Sequence, residues 1–402
     1  MHITHLSLTN FRNYASLDLV LPPHITVLCG DNAQGKSNLL EAVYLLATSR
    51  SPRTNSEKEL INWSALKEEP PVCRITADVE KDKGNLSVEL ALSGKAQSSG
   101  QADNSPASRQ SATRSTSIHK RIRVNGVVRR AIDLIGHINV VLFSVHDIGI
   151  IGGEPALRRR YLDILNSQVD NRYLRHLQRY QRVLWQRNRL LHQIAENHAC
   201  PDELSFWDEE LVKNGSYLIA QRYQMVSAIE QLSQPPHTEL SGNQGRLRLA
   251  YLRSIDKEIG KGDSQVEETA EIFARALRSA RSREIAQGIS LVGPHRDDLR
   301  FFSEDVDMGI FGSRGQQRTI ALSLKLAEAK FMLSKTGEHP ILLLDDVLSE
   351  LDSHRRIHML RSVAEYRQVL MTATDLVHFD PDFLGQAALL GVRQGHIEPF
   401  TH

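Results

Sequence analysis

GDNAQGKS, residues 30 to 37, decides the fold class, because it meets G-x-x-x-x-G-K-[ST] at every fixed position. Glycines at the two ends let backbone N–H groups curl around phosphates, Lys36 reaches the β/γ oxygens, and the Ser37 hydroxyl is a Mg²⁺ ligand. The flanks supply the context the pattern needs: a short apolar strand run, Ile25 to Cys29, leads in, and a helical period, Asn38 to Leu46, leads out. Gly30, Asp31, Asn32, Ala33, Gln34, Gly35, Lys36 and Ser37 are therefore the expected nucleotide contacts in an α/β chain.

ILLLDDVLSELD, residues 341 to 352, is the natural partner of that loop, a buried-strand run ending in two acids. Asp345 is predicted to share the metal with Ser37, and Asp346 to orient or deprotonate the attacking water, giving Lys36, Asp345 and Asp346 as the catalytic set. No NKxD-type guanine-specifying tetrapeptide occurs, so ATP and Mg²⁺ are the expected cofactors. A second anion site is encoded in FGSRGQQRTIALSLKLAE, residues 311 to 328, where a small polar turn opens a helical pattern and leaves N–H groups at the positive dipole end. The chain's own loop already serves its own phosphates. Whose phosphate Ser313, Gly315 and Gln316 would serve is left open by the turn itself.

At 402 residues and 45.3 kDa the chain has room for a large α/β domain with an inserted lobe. The 49 basic and 48 acidic residues nearly cancel, so a nucleic-acid surface must be local. Cys29, Cys73 and Cys200 form no CxxC pair, which suits a reducing compartment and argues against a zinc hook. No secretion signal is visible and no apolar run approaches the roughly 20 residues of a membrane helix, so a cytoplasmic protein without a membrane partner is expected.

Strand patterns at Ile3–Leu8, Leu17–Val20 and Ile25–Leu28 precede the loop, and Val72–Val79 with Leu86–Leu92 reads as an antiparallel hairpin. From Ser93 to Ser117, 25 residues include no Val, Ile, Leu, Met, Phe, Tyr or Trp and eight serines, which predicts a disordered insertion. RIRVNGVVRR then signals a tight hairpin at Asn125-Gly126. From Leu157 to Ala286 the helical period dominates, with expected breaks at Ser233–Gly245 and Gly260–Ser264. The resulting division is an ATPase part over 1–150, a helical lobe over 151–286, and a return over 287–402.

Inside the lobe Leu177, Leu184 and Leu191 recur every seven residues, with Leu174, Gln181 and Asn188 at the partner positions, which predicts a short coiled-coil-like hairpin. Nine arginines and no lysine fall between Arg158 and Leu190. Arg172, Arg175, Arg179, Arg182 and Arg189 lie opposite the leucines if the helix is continuous. A solvated face is the plain explanation, but exclusive arginine usage favours phosphate, whose geometry the guanidinium fork matches.

The spread of motifs resembles the ATP-binding-cassette heads of SMC-type DNA repair proteins, and within that group it is similar to the RecF family. The matching stretches are LTNFRNY, GDNAQGKSNLLEAVYLL, RRRYLD at Arg158–Asp163, LVGPHRDDL at Leu291–Leu299, GSRGQQR and LLLDDVLSELD. The resemblance implies a P-loop head with an inserted helical lobe that dimerises on ATP, binds double-stranded DNA at duplex/single-strand gaps, hydrolyses ATP slowly as a switch, and works with RecR and RecO to help load RecA in recombinational repair and fork maintenance. It also implies that Arg12 and Asn13 sit beside the nucleotide, that Ser313, Gly315 and Gln316 form the signature turn, which caps the γ-phosphate held by a second copy in an ATP-dependent homodimer, and that Ser349–Asp352 forms a dimer-facing loop. Two features depart from the family pattern, FSVHDI at 143 to 148 where FSPEDL is expected and the 93 to 117 insertion, while Asp346 stands where many cassette ATPases carry Glu and is normal for the family. A transporter ATPase subunit would need a membrane partner and an LSGGQ turn, whereas Arg314 replaces a glycine here. A chromosome-organising protein would need long heptad arms. His295, Asp297 and Asp298 could be metal ligands but fit a polar turn better, and Arg50 and Arg53 could touch phosphate or water alike.

Overall fold

Alternating burial from His5 to Thr9 marks β1 (His2–Phe11), which pairs antiparallel with β2 (Tyr14–Val20). β3 (His24–Cys29) buries Ile25 to Cys29 without alternation, as a parallel strand covered on both faces must. The phosphate loop follows and opens α1 (Lys36–Thr48). β4 (Val72–Glu80) and β5 (Leu86–Lys95) form the expected hairpin, and β6 (Ser117–Val124) turns through Asn125-Gly126 into β7 (Val127–Arg129). Both turn residues have positive φ, 50° and 77°, the conformation that Asn-Gly favours. A short α2 (Ala131–Leu134) leads to β8 (Val140–Ser144). The computed structural model describes residues 1–68, 70–95, 117–243, 245–256, 265–377 and 379–400. Ser93–Lys95 and Ser117 therefore belong to strands rather than to the insertion, and the rest of that expected loop lies outside the described residues.

The helical region begins with α3 (Ile148–Gly152) and α4 (Pro155–Val169), the latter started by a proline whose missing N–H no helix start needs. α5 (Asn171–Ala195) is capped by the Asp170 carboxylate, which accepts from Arg172 N at 2.7 Å. α6 (Leu204–Ser241) runs through Pro235 and Pro236, so the break expected over Ser233–Gly245 begins only at Gly242, which caps the helix in the left-handed conformation. Each interior proline costs about 3 kcal/mol, and burial of Pro236, His237 and Leu240 offsets that cost. A strand that the helical period hid, β9 (Leu247–Leu252), comes next; its alternation of Leu247, Leu249 and Tyr251 inward is the signal. The second expected break, Gly260–Ser264, lies outside the described residues. α7 (Val266–Gln287), β10 (Asp298–Ser303), β11 (Val306–Asp307) and α8 (Arg314–Thr336) complete the region, with β10 central in a β11-β10-β9 sheet.

The α5/α6 hairpin exists, but its seam differs from the leucine heptad. Tyr173, Tyr180, Arg187 and Ile194 recur every seven residues on the buried face, whereas Leu177 and Leu184 are only partly covered and Gln181 is exposed. The cause is Arg187. Fully buried, it donates to Glu284 and Asp208 at 2.7 Å and to the Ser290 hydroxyl at 2.7 Å, so a polar group occupies the centre of the seam.

The chain then returns with β12 (Ile341–Asp345), α9 (Ser353–Ala364), β13 (Gln368–Ala373), α10 (Pro381–Leu384), β14 (Ala387–Arg393) and β15 (His396–Pro399). Two compact units result: Met1–Ser144, Glu338–Asp352 and Met359–His402 form the first, and Val145–Gly337 with Ser353–His358 the second. In the first, one six-stranded antiparallel sheet (β2-β1-β4-β5-β6-β7) and one mixed sheet (β15-β14-β3-β13-β12-β8) share a core filled by Leu39, Leu40, Val43 and Leu46 of α1. Gln368 stitches the sheets, accepting from Ile3 N at 2.7 Å and donating to Ile3 O at 2.8 Å.

Candidate functional site

The loop from Gly30 to Ser37 is held open from three sides. Gly30, at φ 153°, lies so close to the Val392 carbonyl of β14 that any β-carbon would collide, and a β-carbon on Gly35, at φ 120°, would meet Asn13 Nδ2 at 2.6 Å. Asn13 Nδ2 donates to Gln34 O at 2.8 Å while its Oδ1 accepts from Asn38 at 2.8 Å, and Tyr14 OH donates to Gly35 O at 3.0 Å. Gly395 N and Gln394 N bind Gln34 from the other side at 3.0 and 2.8 Å. A backbone cradle with positions 30 and 35 both restricted to glycine fits a phosphate chain, which needs close main-chain approach.

Lys36 lies across this cradle, its ammonium donating to Gly30 O at 2.5 Å and Asp31 O at 2.8 Å. Burial pushes its pKa below the ordinary value, and the Asp346 carboxylate opposes that shift. Ser37 Oγ donates to Asp345 Oδ1 at 2.5 Å, so hydroxyl and carboxylate, 308 residues apart, converge at the end of β12. Two oxygens of this kind are suitable donors for a hard divalent cation, so the donor set fits Mg²⁺.

Thr372 of β13, which the sequence reading missed, organises both acids. Its hydroxyl lies 3.3 Å from Asp345 Oδ1, donates to Leu344 O at 3.4 Å, and accepts from the backbone N–H of Asp346 at 2.8 Å. Asp346 has φ 52°, a left-handed conformation that costs an L-residue about 1 kcal/mol. A hydroxyl inside the apolar VLMTA run of a buried strand was the available signal.

Arg12 and Asn13 take different roles. Asn13 contacts the loop, whereas Arg12 grips Glu41 of α1 with both arms of its fork at 2.9 and 2.8 Å and donates to Glu59 O at 2.9 Å. The Glu41 side chain is 1% exposed and also accepts from Ser51, so this pair braces α1 from behind. Arg53 joins the brace through Asn38 Oδ1 at 2.9 Å, and Arg50 is exposed.

In the second unit Ser313 caps α8. Its N–H donates to Gln316 Oε1 at 2.9 Å and its Oγ accepts from Gln316 N at 3.3 Å, a reciprocal capping box that leaves other first-turn N–H groups, Gly315 included, pointing outward. The GPHRDDL turn is structural. Asp297 is fully buried, accepting from Tyr251 OH at 2.5 Å and Ser254 N at 2.8 Å, and burial raises its pKa. Asp298 receives both arms of Arg158 at 2.6 and 3.0 Å. Among the described residues no three His, Cys, Asp or Glu converge as a metal group, which removes the His295/Asp297/Asp298 alternative.

Residues 2–387 match the family model described as the RecF/RecN/SMC N terminal domain. The chain is 43% identical over 404 residues to the "DNA replication and repair protein RecF" of Chloroflexus aurantiacus, covering 99% of both chains, and 37% identical to that of Halalkalibacterium halodurans at 99% of both. The chain belongs to the RecF family. Solved structures of the recombination mediator RecF in the RecFOR pathway, with ATP and with ATPrS, superpose at TM-scores of 0.84 and 0.83 and identities of 29% and 30%, covering at least 97% of either chain. An SMC head from Pyrococcus furiosus, 15% identical at TM-score 0.51, shares the fold. This SMC-like ATPase head fold and these relatives do not favour the transporter or chromosome-organising alternatives.

For a RecF-family chain the remaining question is the arginine face. Arg172, Arg175, Arg179, Arg182 and Arg189 are all exposed on α5, whose 25 residues contain no carboxylate. Arg179 is held by Glu210 at 2.8 Å, and Arg172 lies over the Tyr217 ring at 5.3 Å. Arg175, Arg182 and Arg189 repeat every seven residues along one face. No helix among the described residues is long and apolar enough to cross a membrane.

Proposed function

We propose that this RecF-family protein is an ATP-switched DNA clamp of recombinational repair and replication-fork maintenance, active in the cytoplasm. The convergence of Ser37 Oγ and Asp345 Oδ1 at 2.5 Å beside the Gly30–Ser37 cradle carries this reading. The backbone of Gly30 to Ser37 wraps the phosphates and Lys36 neutralises the β/γ oxygens. Ser37 and Asp345 would hold Mg²⁺, which supplies charge neutralisation between β- and γ-phosphates. Asp346 accepts a hydrogen bond from the attacking water, and its one-carbon-shorter reach than Glu accounts for a slow, switch-like turnover.

The turn at Ser313, Gly315 and Gln316 serves the γ-phosphate of a second copy, so ATP joins two heads. Ser349–Asp352 faces the same junction. The α5 arginines hold duplex phosphates next to a single-strand gap, and RecR and RecO are the partners with which the dimer helps load RecA.

Sedimentation of the purified protein tests the dimer. A slowly hydrolysed ATP analogue should drive dimerisation, and Ser313→Arg should abolish it while nucleotide affinity stays within about two-fold. Undiminished dimerisation of Ser313→Arg would overturn the role of the turn. Binding to blunt duplex, single strand and gapped DNA, with and without ATP, tests the clamp; no ATP-dependent DNA binding would overturn it.

A further inference from the structure

The exposed face of α5 carries one side chain that neither the fold nor phosphate binding uses. Trp185 is 59% exposed, and among the described residues it is the sole large apolar side chain exposed on that helix. It stands three residues after Arg182 and four before Arg189, hence on their face and one turn from each. The Arg189 guanidinium lies 5.8 Å from the Trp185 ring centroid. On its own helix its exposed neighbours are Gln178, Gln181, Arg182 and Arg189, an amide and guanidinium surround.

A protein partner docks on apolar anchors ringed by further apolar contact, and α5 itself offers no such ring. A lone indole in a field of guanidinium groups has instead the composition of a nucleic-acid stacking site, in which an aromatic face takes a base and cations take its flanking phosphates. Intact duplex hides its base faces in the helical stack and gives the indole nothing to cover. We propose that Trp185 is a base-stacking platform, by which the arginine face of α5 captures an unpaired nucleotide of single-stranded DNA. Arg182 and Arg189 neutralise the phosphates on either side of the stacked base. This inference rests on the DNA-binding role of the α5 arginines and adds what that role lacks, a reason for the helix to distinguish single strand from duplex.

The test is fluorescence anisotropy of the full chain with ATP on three labelled DNAs: an oligothymidylate, a gapped duplex and a blunt duplex. Trp185→Ala should weaken the first two roughly ten-fold or more, as loss of one base–aromatic stack does. It should leave the blunt duplex within about two-fold, and Trp185→Phe should recover most of the loss. Because the side chain is exposed, thermal unfolding of both variants should match the parent. Equal losses on all three DNAs, or no loss on any, overturn the platform; in the second case Trp185 is left as a protein-docking residue. If the parent itself binds none of the three, the DNA-binding role of α5 fails first, and the two failures are thereby told apart.

Discussion

The backbone N–H of Asp346 donates to the Thr372 hydroxyl at 2.8 Å, and this bond holds a left-handed aspartate at the end of β12. Removing the hydroxyl orphans that N–H, at about 1–3 kcal/mol. Thr372→Val, nearly isosteric, should therefore lower ATP turnover about ten-fold or more while nucleotide affinity changes less than about two-fold, and Thr372→Ser should restore turnover. Steady-state hydrolysis with parallel equilibrium binding checks the split; equal loss in both would make Thr372 a packing residue.

Arg175, Arg182 and Arg189 have no carboxylate on their helix to compete with DNA phosphate. Replacing all three with alanine should weaken duplex binding at every sequence and lower the slope of log K against log salt by up to about 2.7, about 0.9 per lost phosphate contact. Arg179→Ala should do less, since Glu210 already holds that guanidinium. Salt titrations decide it, an unchanged slope placing the duplex site elsewhere.

Arg187 and Glu284 are both fully buried, 2.7 Å apart. Arg187→Ala strands a buried carboxylate and should destabilise the helical unit by about 3–5 kcal/mol. Pairing Arg187→Met with Glu284→Gln should recover much of that loss, because no unpaired buried charge remains. Chemical denaturation of single and double variants measures the coupling.

His295 donates from Nε2 to Ser290 O at 3.2 Å, since a carbonyl only accepts, and its Nδ1 accepts from Tyr180 OH at 2.7 Å. Burial, together with Arg296, Arg159 and Arg187 nearby, pushes its pKa down from 6.5 to about 4. Between those values the unfolded chain binds more protons than the folded one, so stability is fully present above pH 6.5 and is lost as the pH falls toward 4. The parent should lose up to about 3 kcal/mol over that window relative to His295→Gln, which cannot titrate. A pH-independent difference between the two would show that the ring does not titrate in this way.

The phosphate loop, the β12 acids and the Ser313 cap were legible because each joins a local backbone requirement to fixed residue types. Gly30 to Ser37 needs no distant partner to be recognised. Thr372, Gln368 and Val392 were not legible, since a strand residue acquires its role only when a sheet sets it beside another strand. The helical seam misled for a related reason: leucines mark a seam by transfer energy alone, whereas Arg187 enters the core only because Asp208, Glu284 and Ser290 meet it there. Pro235 and Pro236 misled because packing overrode local helix propensity.

The contact between Gly30 and the Val392 carbonyl joins a loop near the start of the chain to a strand near its end. During synthesis the ribosome releases the arginine-bearing helix, and then the whole second unit, well before β14 exists. The nucleotide cradle thus closes only after β14 has been made. A nascent chain can therefore fold its helical region before its phosphate cradle is complete.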